Sequence, residues 1–120
     1  EWWNKQNDEV RWEAMVNPDD RVDIKEALFR LKKWIGTTSK IWAHGDDFDC
    51  TVLSEAYQTC GMRVPWKFWN TRDTRTVYDL AGVNISEIPI ADNEKHNPIH
   101  DCYRQIKALK KSFAILGLYV

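Results

Sequence analysis

The chain of 120 residues has no apolar run near the roughly 18 residues that a membrane-crossing helix needs, so no transmembrane helix is expected. No signal peptide is visible either. Cysteine is scarce: Cys50, Cys60 and Cys102 make an odd number without paired spacing. That argues against a disulfide framework and, since no two lie within a short loop, against a Cys–His zinc site. Reduced thiols in a cytoplasmic protein are the simpler expectation. Excess positive charge is missing too, with 17 Lys and Arg against 18 Asp and Glu and a net charge of −1. No whole-chain basic field points to nucleic acid, which leaves a local patch for any such contact. Internal repeats and low-complexity segments are absent. The first residue is Glu1 rather than Met, inside a Trp-rich segment, so we expect a fragment whose natural beginning lies upstream.

What is present suffices for a core. Hydrophobic residues make up 43% and charged residues 29%, the balance of one folded domain over residues 1–120 rather than of a disordered tail. Seven Trp is high for this length. Each brings a large apolar area and one N–H donor, so some belong in the core and some at a contact surface.

The segment Trp2 to Val16 reads as one or two short helices, and Asn17-Pro18-Asp19-Asp20 as a turn. Ile24, Ala27, Leu28, Leu31 and Ile35 recur at the spacing of a one-sided helix, with Asp23 as cap, Glu26 three positions on and Gly36 as stop. Lys40 to His44 reads as a buried strand. Phe48 to Cys60 reads as a helix with Cys50, Leu53, Tyr57 and Cys60 on one face and Gly61 as stop. Val64 to Trp69 reads as a second strand, although Pro65 weakens its first half. Thr74 to Leu80 reads as a helix before Gly82, and Asn84 to Lys95 as a loop. Asn97 as cap and Pro98 in the first helical position start a last helix. Its apolar stripe is Ile99, Cys102, Tyr103, Ile106, Leu109 and Phe113. Strands alternating with helices predict a parallel α/β arrangement. Two strands alone do not complete such a sheet, whose central strands pair on both sides. The missing neighbour fits a missing N-terminus.

Two places could carry chemistry. His44-Gly45-Asp46-Asp47-Phe48-Asp49 lies at the carboxyl end of the first strand, where ligand sites of α/β sheets gather. Its aspartates offer hard oxygen ligands, and they equally suit an ordinary helix N-terminus. In His96-Asn97-Pro98-Ile99-His100-Asp101, a carboxylate on a helix follows a histidine on a loop. Such a pair suits metal-assisted hydrolysis, the acid holding a cation and the histidine taking a proton from water near neutral pH. A common acidic first turn beside a surface histidine fits the same residues.

The ordered set of motifs resembles the second and third motifs of the DEDDh-type 3′→5′ exonucleases of the RNase H-like superfamily. The second is Phe48-Asp49 with Leu53 downstream, and the third is His96, four residues, then Asp101. Glu1-Trp2-Trp3…Gln6, Lys67-Phe68-Trp69-Asn70…Arg72-Asp73…Arg75-Thr76 and Ile99-His100-Asp101-Cys102 look like the branch of phage exonuclease A and exonuclease VIII-like proteins. The resemblance implies an α/β RNase H-like fold, a mixed sheet flanked by helices and incomplete at its N-terminus. It implies a two-metal site for Mg²⁺ or Mn²⁺, with Asp49 and Asp101 as metal carboxylates and His96 as general base. It also implies a substrate-binding part for Arg72, Asp73 and Arg75, with Asp73 orienting backbone or Arg groups near the site or the arginines meeting phosphate. A helix cap with solvated arginines fits the same residues. Single-stranded DNA or RNA 3′ ends are the implied substrate. The family's first motif, Asp-x-Glu on the first strand, has no counterpart here, since Asp8-Glu9 has the wrong spacing. The expectation is therefore the carboxyl-terminal part of an exonuclease domain that does not turn over as this fragment. The alternative is a non-catalytic nucleic-acid-binding or dimerisation module of the same fold. A second copy of the chain could cover an open strand edge, so a homodimer is also an expectation.

Overall fold

A computed structural model describes residues 3–12, 19, 21–37 and 40–118. In chain order the elements are α1 (Asp8–Arg11), α2 (Ile24–Ile35), β1 (Ile41–Ala43), α3 (Asp46–Thr59), β2 (Thr71–Asp73), α4 (Thr74–Ala81) and α5 (Pro98–Ile115). Short 3₁₀ turns lie at Trp3–Lys5, Phe68–Asn70 and Ile85–Glu87. Contacts gather the chain into two units, Val22–Thr76 and Glu1–Arg21 joined with Val77–Val120.

In the unit Val22–Thr76, α2 starts as predicted, with the Asp23 carboxylate accepting the Lys25 N–H at 2.9 Å, and ends at Gly36. Its buried face is narrower than the periodicity suggests: Leu28 and Ile35 are buried, Leu31 packs beside them, and Ile24 and Ala27 stay exposed. Cys50 and Tyr57 of α3 complete this core with Trp66, and Leu53 and Cys60 pack against it as expected. The Tyr57 hydroxyl donates to the Leu28 carbonyl at 2.8 Å, and its ring meets the edge of Trp66 at 6.1 Å between centroids. Because a buried hydroxyl needs a partner, this one bond fixes α3 against α2.

β1 and β2 pair in parallel, with Ile41 opposite Thr71, Trp42 opposite Arg72 and Ala43 opposite Asp73. Two expectations need correction. The second strand forms at Thr71–Asp73, not at Val64 to Trp69. Pro65 has no N–H to give to a ladder, and the Asn70 N–H donates to the Lys67 carbonyl at 2.9 Å, so the chain turns before it extends. Trp66 then enters the core from a bend instead of a strand. The first strand is half-buried rather than buried, with Trp42 well exposed. Among the described residues the sheet has these two strands.

In the other unit, Asn7 caps α1 by accepting the Glu9 N–H at 2.9 Å, and Val10 is buried. The expected helical segment beyond Trp12 and most of the turn at residues 17–20 lie outside the described residues. Tyr78, Val83, Ile88 and Ala108 form the core. The Tyr78 hydroxyl donates to the Gln105 carbonyl at 3.0 Å, and Arg104 Nε to the Ile88 carbonyl at 2.9 Å. α5 is capped as predicted, but its buried face is not the predicted stripe. Ala108 and Ser112 are fully buried, whereas Ile99, Cys102, Tyr103 and Ile106 are exposed. Of the stripe, Leu109 packs on the core and Phe113 is half-buried. Small side chains let the helix come close, and the Ser112 hydroxyl satisfies itself on the Ala108 carbonyl at 2.9 Å, so it can be buried.

Replacing Tyr57 by Phe removes the buried bond that the hydroxyl adds to the Leu28 carbonyl. Tyr57→Phe should lower the unfolding free energy by about 1 kcal/mol in urea titrations, with little change in the dependence on urea concentration.

Candidate active site

The two strands end together at Ala43 and Asp73, and each feeds a helix from that end. β1 enters α3 through His44 and Gly45, while β2 enters α4 without a connecting residue. Gly45 has φ 102°, in the left-handed region that glycine adopts freely. A Cβ there would also stand 3.4 Å from Arg75 Nη2. This sharp corner lets α3 begin at Asp46, two residues before the predicted Phe48.

The Asp73 carboxylate binds the corner together. It accepts the backbone N–H of Arg75 at 2.9 Å and of Gly45 at 3.3 Å. The Arg75 guanidinium grips both oxygens, with Nε at 3.0 and 2.9 Å. Arg75 Nη2 also reaches Asp47 Oδ1 at 3.3 Å. The hydrogen bond from the Arg75 side chain, helped by the Arg75 and Gly45 N–H groups and opposed by desolvation, holds the Asp73 carboxyl at about 2, below the usual 3.8. His44 Nδ1 lies 3.1 Å from the hydroxyl of buried Thr74, a second tie between the strand ends.

Carboxylate oxygens of Asp46, Asp47 and Asp73 lie within 4.8 Å of one another. They are hard donors of the type Mg²⁺ and Mn²⁺ take, but Arg75 already neutralises part of the group. Asp49 is outside this trio. It is the fourth residue of α3, exposed, with its N–H donating to the Gly45 carbonyl at 3.1 Å. Beside it Cys50 is buried. Burial first, then the negative charges of Asp46 and Asp49, push its thiol up, so it stays protonated and is no nucleophile at neutral pH.

His96 and Asp101 belong to the other unit. Asn97 Oδ1 accepts the N–H groups of Ile99 at 3.1 Å and His100 at 3.4 Å, and Pro98 holds the first helical position. Asp101 is again the fourth residue of its helix, its N–H donating to the Asn97 carbonyl at 2.9 Å, and it is half-buried. His96 has φ 63°, alone among the described non-glycine residues in the left-handed region. That backbone conformation is uncommon for a side-chain-bearing residue and fixes the exit from the preceding turn. His100 Nδ1 sits 3.7 Å from Glu94 Oε1.

The predicted substrate contacts already have intramolecular partners. Asp73 and Arg75 pair with each other, and Arg72 Nη1 donates to the carbonyls of Trp69 and Thr71 at 2.7 Å each. The bond from Gly45 to Asp73 leaves no signal in the sequence because its ends are far apart in the chain. The grouping of Asp46 and Asp47 with Asp73 leaves none either, beyond the acid-rich strand end itself.

An acid-lined corner at the carboxyl ends of parallel strands is where ligand sites of α/β sheets gather, and comparison with known proteins places the chain in an exonuclease family. The chain belongs to the family described as the 3'-5' exoribonuclease Rv2179c-like domain, whose model matches residues 1–113. It is also similar to a protein named exodeoxyribonuclease from Enterobacteria phage T4, with 26% identity over 136 aligned positions that cover 92% of this chain. The chain spans 60% of the length of that relative. No solved structure matches.

Asp73 carries a testable consequence. Its folded pKa is depressed, so the stability it contributes is complete above its ordinary 3.8 and is lost as pH falls toward about 2. Asp73→Asn should cost about 1 kcal/mol at neutral pH, a figure kept low because the partner Arg75 is half in solvent. Urea midpoints measured across the acid range should also fall less steeply for the variant than for the parent.

Proposed function

We propose that the chain forms part of the catalytic domain of a divalent-metal-dependent 3′-5′ exonuclease of the DEDDh type with an RNase H-like fold, acting on the 3′ ends of single-stranded nucleic acid. The observation that carries the reading, beside family membership, is the matched geometry of two helix starts. Asp49 and Asp101 are each the fourth residue of a helix, and the N–H of each donates to the carbonyl of the residue just before that helix. His96 precedes the second cap on a constrained backbone.

In this reading Asp49 and Asp101 hold Mg²⁺ or Mn²⁺, for which carboxylate oxygens are suitable donors. Such a cation, when bound, supplies Lewis-acid stabilisation of charge at the terminal phosphodiester. His96 accepts the proton of the attacking water. Asp73 and Arg75 keep the acidic corner in shape, and Arg72 pins the turn before β2. The Asp-x-Glu carboxylates of such a site have no counterpart in the matching place in these 120 residues, and the chain spans 60% of its phage relative, so the activity is proposed for a protein that carries both parts of the site. Its place is the cytoplasm, in keeping with three free thiols. No described helix is long and apolar enough to cross a membrane. The family description names a ribonuclease and the phage relative a deoxyribonuclease, so both strands belong in the assay.

Full-length protein given Mg²⁺ should release nucleotides from the 3′ ends of single-stranded DNA or RNA, and a chelator should stop it. Asp49→Ala, Asp101→Ala and His96→Asn should each cut release about 100-fold or more; Asn is chosen because it tolerates the left-handed backbone. Release at the parent rate in both the Asp101 and His96 variants would sink the assignment.

A further inference from the structure

We infer that Phe68 and Trp69 form a stacking platform for an unpaired nucleobase of a single strand, an inference that rests on the nuclease reading above. Phe68 is 84% and Trp69 59% exposed, and their rings touch at right angles with centroids 4.9 Å apart. Neighbouring Trp66 is buried, so the chain has an interior place for an aromatic ring here and still holds the next two outside. Large apolar rings left together in water mark a contact surface.

The turn that presents them is rigid. The Asn70 N–H donates to the Lys67 carbonyl at 2.9 Å, the Thr71 hydroxyl to the Phe68 carbonyl at 3.2 Å, and Arg72 Nη1 to the Trp69 carbonyl at 2.7 Å. A backbone held in this way leaves only the ring torsions to be ordered when a ligand stacks.

The occupant follows from the adjoining groove. It measures about 230 Å³ and opens between Phe68 and the first turns of α3, lined by Asp46, Asp47, Thr51, Ser54 and Thr71. Its lining holds carboxylates and hydroxyls but no Lys or Arg, which suits the N–H edge of an uncharged base and repels a phosphate. Arg72 and Arg75 nearby are held by carbonyls and carboxylates of the chain, whereas exposed Lys67 precedes the platform and would meet the strand's backbone. Every base has a π-face, so such a platform holds single strands with little regard to sequence but depends on the base being there.

The test measures binding of a labelled single-stranded oligonucleotide to the full-length protein without divalent cation. Phe68→Ala and Trp69→Ala should each weaken binding roughly tenfold, while Phe68→Tyr and Trp69→Phe should keep most of it. The alanine effect should vanish on a strand of the same length with abasic positions at its 3′ end. Equal binding by alanine and aromatic variants, or an undiminished alanine effect on the abasic strand, overturns the platform. So does a changed oligomeric state in the alanine variants with strand binding intact, which would make the rings a contact between copies. If the platform effect is found but Mg²⁺ gives no hydrolysis, the nuclease reading fails and the platform stands. If hydrolysis occurs but the aromatic variants bind like the parent, the platform fails alone.

Discussion

The Asp73 carboxylate is the constraint on which the acidic corner depends. Three paired residues per strand make a short ladder, and a pair of strands this small is marginal without further ties. Asp73 ends β2, caps the start of α4 through the Arg75 N–H and reaches across to the Gly45 N–H at the entry to α3. One side chain thus ties together two strand ends and two helix starts. Arg75 then does an electrostatic job that hydrogen bonding alone does not. Three carboxylates within 4.8 Å repel one another, and the guanidinium between Asp73 and Asp47 offsets that repulsion. The corner can therefore keep its shape without a cation in it. For the same reason Asp73 suits a positioning part better than that of a metal ligand.

Features decided within a few residues were legible in the sequence. Asp23 and Asn97 cap their helices because the N–H groups they accept lie two or three positions on, and Gly36 stops α2 for an equally local reason. The strand at Val64 to Trp69 was misplaced because β-propensity is contextual. Its apolar residues serve a bend that delivers Trp66 to the core and holds Phe68 and Trp69 out. The face of α5 was misplaced for a different reason. Counting large apolar side chains finds the stripe from Ile99 to Phe113, yet what packs tightly is the small pair Ala108 and Ser112. A serine that donates to its own helix carries no signature of burial in a periodicity.

The candidate site divides in the same manner. The helix starts that carry Asp49 and Asp101, and the loop that carries His96, were readable because each is a local pattern of strand end, loop and helix cap. What surrounds them was not. The bond from Gly45 to Asp73 joins residues 28 apart, and nothing in either local sequence asks for the other. Arg72 and Arg75 carried the opposite ambiguity, since an arginine after a strand looks alike whether it waits for a phosphate or is held by carbonyls and carboxylates of its own chain.

The two helix starts solve one problem by different means, and the difference separates structural acids from candidate catalytic ones. Asn97 caps α5 with its side chain. Gly45 has none to offer α3, and no side chain caps that start; Asp46 and Asp47 open the helix, where the positive end of the dipole favours their charge. That accounts for Asp46 and Asp47 without any ligand. Asp49 and Asp101 share those first turns, but their own N–H groups already bond the Gly45 and Asn97 carbonyls. Neither is needed to cap its helix, and each sits on backbone that the cap holds still. Carboxylates on helix-held backbone but left without capping work are suited to meeting something that is not part of the chain.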